Sequence, residues 1–176
     1  MGQNKGYLTA KTDKASDEYY TPSNAIIPLL KYVSKEDIIW CPFDKENSKY
    51  VQIFLQNGNK VIFSHIDLGK NFFYYSPDKY DIIISNPPFS CKDDILKRLE
   101  ELQKPYAMLF PLPTLQGQKR FPYLQNKQAL IFDKRINFYQ DEDYTKIVKG
   151  VSFASIYICN NFLPKDLIFE ELPNES

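Results

Sequence analysis

The chain has 176 residues, of which 43% are hydrophobic, 15% aromatic and 25% charged. That is the make-up of one folded domain, which buries roughly 70% of its unfolded surface and needs no disulfide or metal staple. Lysine plus arginine equals aspartate plus glutamate at 22 each, so net charge gives no argument for nucleic acid and any basic surface must be local.

A single histidine and three scattered cysteines, Cys41, Cys91 and Cys159, argue against a metal site and fit reduced thiols. With no apolar run long enough for a signal peptide or a membrane span, the expected setting is the cytoplasm, with no membrane partner. Residues 1–17 are polar and read as a flexible arm, followed by a domain over 18–176. Thr21-Pro22-Ser23 predicts a helix start with a capping hydroxyl and proline in the first turn, and Pro28 kinks or delays that helix.

From there, apolar runs alternate with helical patterns. Strands are expected at 37–43, 60–66, 81–85 and 106–110. A helix is expected over 48–57, carrying Val51, Phe54 and Leu55 on one face and ending at Gly58. Another comes after Ser90-Cys91-Lys92-Asp93, a variant capping box, and places Ile95, Leu96, Leu99 and Leu102 on one stripe. The run 81–85 is apolar throughout, as in the middle of a parallel sheet covered on both faces. Runs 129–132 and 155–159 have no helical pattern between them and predict an antiparallel edge, with the polar stretch 140–149 as a joining loop. The whole is an α/β sheet, mostly parallel with an antiparallel C-terminal strand pair. Ligands on such sheets bind at the carboxyl ends of strands, which would put Cys41 to Asp44, Ser64 to Asp67 and Ser85 to Phe89 along one rim.

The strongest local signal is Asp81-Ile82-Ile83-Ile84-Ser85-Asn86-Pro87-Pro88-Phe89. Consecutive prolines stiffen the loop and carry no N–H groups. The Asn86 side chain and the Pro87 carbonyl then form an acceptor pair beside the aromatic Phe89. Such a pair suits an exocyclic amine, a poor nucleophile because its lone pair is delocalised into the ring. Two acceptors holding both N–H groups would localise that pair, and no strong base is required. The bland alternative is a plain Asn-Pro-Pro turn, but the apolar strand before it and the capped helix after it favour a catalytic loop.

This segment resembles the catalytic motif of class I amino-methyltransferases, especially the N6-adenine DNA methyltransferases, and the whole is most similar to small phage and prophage adenine methylases. The likeness runs from about Tyr19 to Phe162. It implies a Rossmann-like methyltransferase domain, S-adenosylmethionine as cofactor and Asn86, Pro87, Pro88 and Phe89 as catalytic loop. It also implies cofactor contacts from Tyr20, Thr21 and Pro22, from Cys41, Pro42, Phe43 and Asp44 in the first loop, from His65 and Asp67 after the second strand, and from Asn71 and Phe72. His65 is equally readable as a satisfied strand-end side chain. The first loop departs from the family's Asp-Pro-Phe-x-Gly pattern, since no glycine lies between Gly6 and Gly58.

The chain has no room for a separate target-recognition domain. Substrate contacts would come from Phe89 and from loops carrying Lys119, Arg120, Lys146 and Lys149, the bland reading of those cations being solvated loop residues. DNA is the expected partner. RNA or a protein glutamine is the alternative within enzymes, and a degenerate fold that grips nucleic acid or a protein partner is the alternative outside them.

Overall fold

The computed structural model describes residues 19–148, 151 and 153–175; the arm expected over 1–17 lies outside them, as does Lys149. Seven strands form one sheet: β1 (Ile38–Cys41), β2 (Lys60–Phe63), β3 (Ile82–Ser85), β4 (Tyr106–Pro111), β5 (Gln128–Phe132), β6 (Ser155–Asn160) and β7 (Leu167–Glu170). Their order is β2-β1-β3-β4-β6-β5-β7. The pairs from β2 to β4 are parallel, and β6 alone runs against its neighbours β4 and β5. This is the Rossmann-like α/β sheet that the sequence implied.

Alternation along each central strand feeds two cores, one on each face. Ile39, Cys41, Ile82, Ile84, Ala107 and Leu109 pack on one side with Tyr50, Val51 and Phe54 of helix α2 (Lys49–Gln56). Trp40, Ile83, Tyr106, Met108 and Phe110 pack on the other with Ile95, Leu96 and Leu99 of helix α3 (Lys92–Leu102). β3 is buried at all four positions, the reason Ile82, Ile83 and Ile84 follow one another without polar alternation.

The structure differs from the sequence reading at several local points. The antiparallel strand is interior: β6 sits between β4 and β5, and the edge is β7, parallel to β5. β7 is only four residues long, and its Leu167 and Phe169 are exposed, so no hydrophobic period announces it. Helix α1 (Ser23–Ile26) begins after Pro22 without a side-chain cap. It passes into a 3-10 turn over Ile27–Tyr32, because Pro28 has no N–H to continue the α-helical ladder. Ser90 does not cap α3, since Phe89–Cys91 forms a 3-10 turn first. On α2, Leu55 points outward, and Tyr50 and Ile53 take the buried face with Val51 and Phe54. Ser48 does cap α2, accepting from the Tyr50 N–H at 3.2 Å, and Gly58 comes next in the positive-φ conformation at 97°.

Candidate functional site

From β1 the chain passes to β2 on one side and then returns to β3 on the other. Such a switch point splays the loops leaving neighbouring strands and opens a crevice at their carboxyl ends. The three expected segments meet there. Ser64 N donates to Cys41 O at 3.0 Å and Asp44 N to Ser64 O at 3.1 Å, while Trp40 Nε1 holds Ser64 Oγ at 2.9 Å. Ser48 and Ser85 both donate their hydroxyls to the Asp44 carboxylate. Asp44 is only 9% exposed. Burial pushes its pKa up to about 6, and the two serine donors oppose that rise.

The loop after β3 presents the second feature. Asn86 Nδ2 donates to the backbone carbonyl of Tyr19 at 2.8 Å. That bond fixes the amide orientation, because the oxygen in its place would meet another acceptor. Asn86 Oδ1 is left buried with no hydrogen-bond partner. Pro87 is buried and Pro88 half-buried behind it. The Phe89 ring stacks on Tyr19 with centroids 6.4 Å apart and meets Phe153 edge-on at 5.5 Å.

Between these features lies a cleft of about 730 Å³, its open mouth included, lined among others by Tyr20, Thr21, Phe43, Asp44, His65, Asn86, Pro87, Pro88, Glu142 and Tyr144. Thr21 Oγ1 is buried beside the Tyr50 hydroxyl without closing a hydrogen bond to it. The Tyr50 hydroxyl bonds that of Tyr157 at 2.8 Å, and burial raises both phenol pKa values. Lys45 Nζ pairs with Glu142 at 2.6 Å and with Asp67 at 3.2 Å. The bond from Lys45 holds the Glu142 pKa below its usual range and raises that of Lys45.

Eight of the expected residues thus share one cavity: Tyr20, Thr21, Phe43, Asp44 and His65 with Asn86, Pro87 and Pro88. Others lie elsewhere. Pro22 is at the start of α1. Cys41 is in the core, its thiol pKa raised by burial, and Pro42 is buried beside it. Asp67 lies outside the lining, its N–H donating at 3.1 Å to Nδ1 of His65, which does line the cleft. Asn71 closes a turn, its Oδ1 accepting from Phe73 N, and Phe72 packs under Phe43 and Trp40.

Of the expected substrate contacts, Lys119 is exposed and Phe89 stands beside the cleft rather than in its lining. Arg120 braces its own loop, donating to Thr114 O, Gln116 O and Asp93. Its planar fork of donors finds acceptors close by, which sequence spacing did not suggest. Lys146 lies in the polar segment whose Glu142 and Tyr144 line the cleft. Lys45, Tyr50, Glu142 and Tyr144 are cleft residues that the sequence did not single out, because their partners lie 95 to 107 positions away. Among the described residues no cluster of histidine, cysteine or carboxylate side chains could hold a metal ion, and no helix is long and apolar enough to cross a membrane.

No family model matches the sequence, and no curated protein is detectably similar to it. Among solved structures the chain is similar to a dimethyladenosine transferase from Plasmodium falciparum, with 10% identity and a TM-score of 0.46. That match covers 80% of this chain, and the chain spans 62% of the matched one.

Proposed function

We propose that this protein is an S-adenosylmethionine-dependent methyltransferase acting on the exocyclic amino group of adenine, with DNA as substrate. The observation that carries the reading is Asn86. Its amide is pinned by Tyr19, and its buried oxygen has nothing to accept from. A buried acceptor without a donor costs about 1–3 kcal/mol, and the N–H of an amino group would repay it. With the Pro87 carbonyl taking the second N–H, the nitrogen lone pair is turned out of conjugation and toward the cleft. Asn86 is neutral, so the proton shed on alkylation leaves along these acceptors to water rather than to a dedicated base.

The residues fit the cofactor. The cleft lies at the carboxyl ends of the strands, at the switch point where such sheets bind small molecules. Tyr20, Phe43 and Tyr144 offer flat walls for an adenine. Asp44, a buried carboxylate between two serine donors, suits a ligand's ammonium group without a glycine-rich loop. When bound, the cofactor supplies an electrophilic methyl group. The chain positions the amine against it, and such positioning contributes several kcal/mol of a barrier. Phe89, which packs on Tyr19 and Phe153 beside the cleft, would stack on a base, and the loop cations Lys119 and Lys146 would meet phosphates. A base taken from a duplex must be flipped out, at a few kcal/mol. RNA or a protein glutamine presents the same planar amine.

A second reading has its own support. Lys45 pairs with Asp67, the acid expected to take a ribose, and Tyr144 and Glu142 line the cleft. A non-catalytic domain that grips nucleic acid or a protein would look the same. Calorimetry with S-adenosylmethionine up to millimolar concentration, followed by mass analysis of DNA, RNA and protein after incubation, separates these readings. Binding and methyl-adenine in DNA are expected. The absence of binding at millimolar ligand would sink catalysis by this chain.

A further inference from the structure

Residues 139–147, which contribute Glu142 and Tyr144 to the lining of the cleft, are a small unit that folds on itself. Gln140 N donates to Lys146 O and Tyr144 N to Asp141 O, and the Asp141 carboxylate collects Thr145 N, the Thr145 hydroxyl and Lys146 N. Tyr139 pairs with Tyr20 on one side and Ile147 on the other through isolated bridges. The tip is therefore held together by its own bonds. Among the described residues its ties to the rest run to Tyr20, to the 45–49 loop and, from the Tyr139 hydroxyl, to the Glu175 carboxylate at 2.8 Å.

The ties to Tyr20 and that loop include Lys45 Nζ on Glu142 at 2.6 Å, Asn47 Nδ2 on Glu142 O at 3.4 Å, the Tyr20 hydroxyl on Glu142 at 3.4 Å and Lys49 N donating to the Tyr144 hydroxyl at 3.0 Å. The Tyr144 ring also meets Tyr20 and carries the Lys49 ammonium on its face. Nearly all are polar or aromatic contacts at a partly solvated rim, with Lys45 and Glu142 side chains 30% and 45% exposed. Tyr144 itself sits at a φ of +55°, a conformation L-residues avoid unless their surroundings impose it. Lys45 keeps its second partner, Asp67, whether or not Glu142 stays, so the pair can break without stranding the cation.

We propose that residues 139–147 are a gate over the cleft, latched by the Lys45–Glu142 pair and lifted to admit the ligand. The proposal rests on the cleft being the cofactor site. The latch is an exposed ion pair, so its hold weakens with salt. Lys49 N is its reporter: its acceptor belongs to the gate, whereas the donor sits in the first turn of α2.

The test is hydrogen–deuterium exchange of the ligand-free full chain, wild type against Glu142→Ala, at low and at high salt, read at the Lys49 amide with Met108 and Ile158 of the central sheet as references. Separately, both proteins are titrated with S-adenosylhomocysteine. The variant removes an exposed side chain and is expected to fold. Lys49 exchange about two- to fivefold faster in the variant, the range an exposed ion pair commands, with salt accelerating only the wild type, supports the gate. Equal Lys49 exchange in the two proteins at both salt concentrations overturns it. Exchange that responds as stated while S-adenosylhomocysteine binds neither protein sinks the cofactor reading and leaves the gate standing. Binding of S-adenosylhomocysteine that leaves Lys49 exchange identical in both proteins sinks the gate and leaves the cofactor reading standing.

Discussion

Residues 85–89 and residues 139–147 border the same cleft, and they are held by different forces. The first segment leaves a strand buried at every position, runs through two prolines and is pinned at Asn86 by the Tyr19 carbonyl. The second is a self-bonded turn tied down by an exposed ion pair and a few polar contacts. Hydrophobic burial and fixed φ angles make one rim rigid, whereas the other is secured by interactions worth little each in water. Rigidity lies where an amine would have to be oriented, and adjustability where a ligand would have to enter.

The sharpest way to break that contrast is at its rigid end. Asn86→Ala should lower kcat by about a hundredfold or more, the usual loss when one aimed hydrogen-bonding group is removed, while thermal unfolding stays within a few degrees of wild type. Turnover near the wild-type rate would refute the acceptor role.

Next comes Asp44, on the floor between the two rims. Its folded pKa of about 6 lies above the 3.8 of an unperturbed aspartate. Folding therefore favours the protonated acid: its contribution to stability is present below pH 3.8 and lost as pH rises through about 6. That loss is on the order of 3 kcal/mol. Asp44→Asn should be more stable than wild type at pH 7, with the difference shrinking toward pH 4 in denaturant titrations. A cationic ligand would favour the ionised acid, so S-adenosylmethionine affinity should rise between pH 5 and 7 in wild type. In Asp44→Asn it should be about tenfold weaker or more and flat with pH. Calorimetry at three pH values decides this, and pH-independent binding by the wild type would remove Asp44 from the ligand site.

Smaller effects are expected from Pro88→Ala, which frees the unfolded chain and costs about 0.4–1 kcal/mol of stability. If stiffness of the loop serves turnover, kcat should fall while cofactor affinity holds. A variant with normal kcat would show that Asn86 needs no proline behind it. Least of all, Tyr144→Phe removes one hydrogen bond from the adjustable rim, worth about 1 kcal/mol, and stopped-flow binding should show association up to about fivefold faster. Slower association would mean that the Tyr144 hydroxyl serves the ligand rather than the closed rim.

The rigid rim was legible in the sequence for the reason that makes it rigid. The run Ile82 to Ile84, the two prolines and the helix after Ser90 are signals contained within a few residues, and the succession of strands and helices comes from stringing such signals together. The adjustable rim was not. Glu142 and Tyr144 enter the cleft through partners 97 and 95 positions away, and nothing in Gln140 to Lys146 distinguishes that stretch from a solvated loop. Arg120 shows the opposite hazard: a loop cation readable as a phosphate contact is spent on carbonyls of its own turn. β7 escaped because four residues with alternate side chains exposed carry too little pattern to outweigh the charged residues around them.

The two serine bonds to Asp44 have one more consequence, for how this sequence can change over time. Asp44 and Ser48 belong to the first loop, and Ser85 lies 41 positions from Asp44, next to Asn86. An apolar residue in place of Asp44 strands both buried hydroxyls, and loss of either serine strands the Asp44 oxygen it serves. Related chains should therefore exchange residues 44, 48 and 85 as a set, and an apolar residue at 44 should arrive only together with the loss of both hydroxyls.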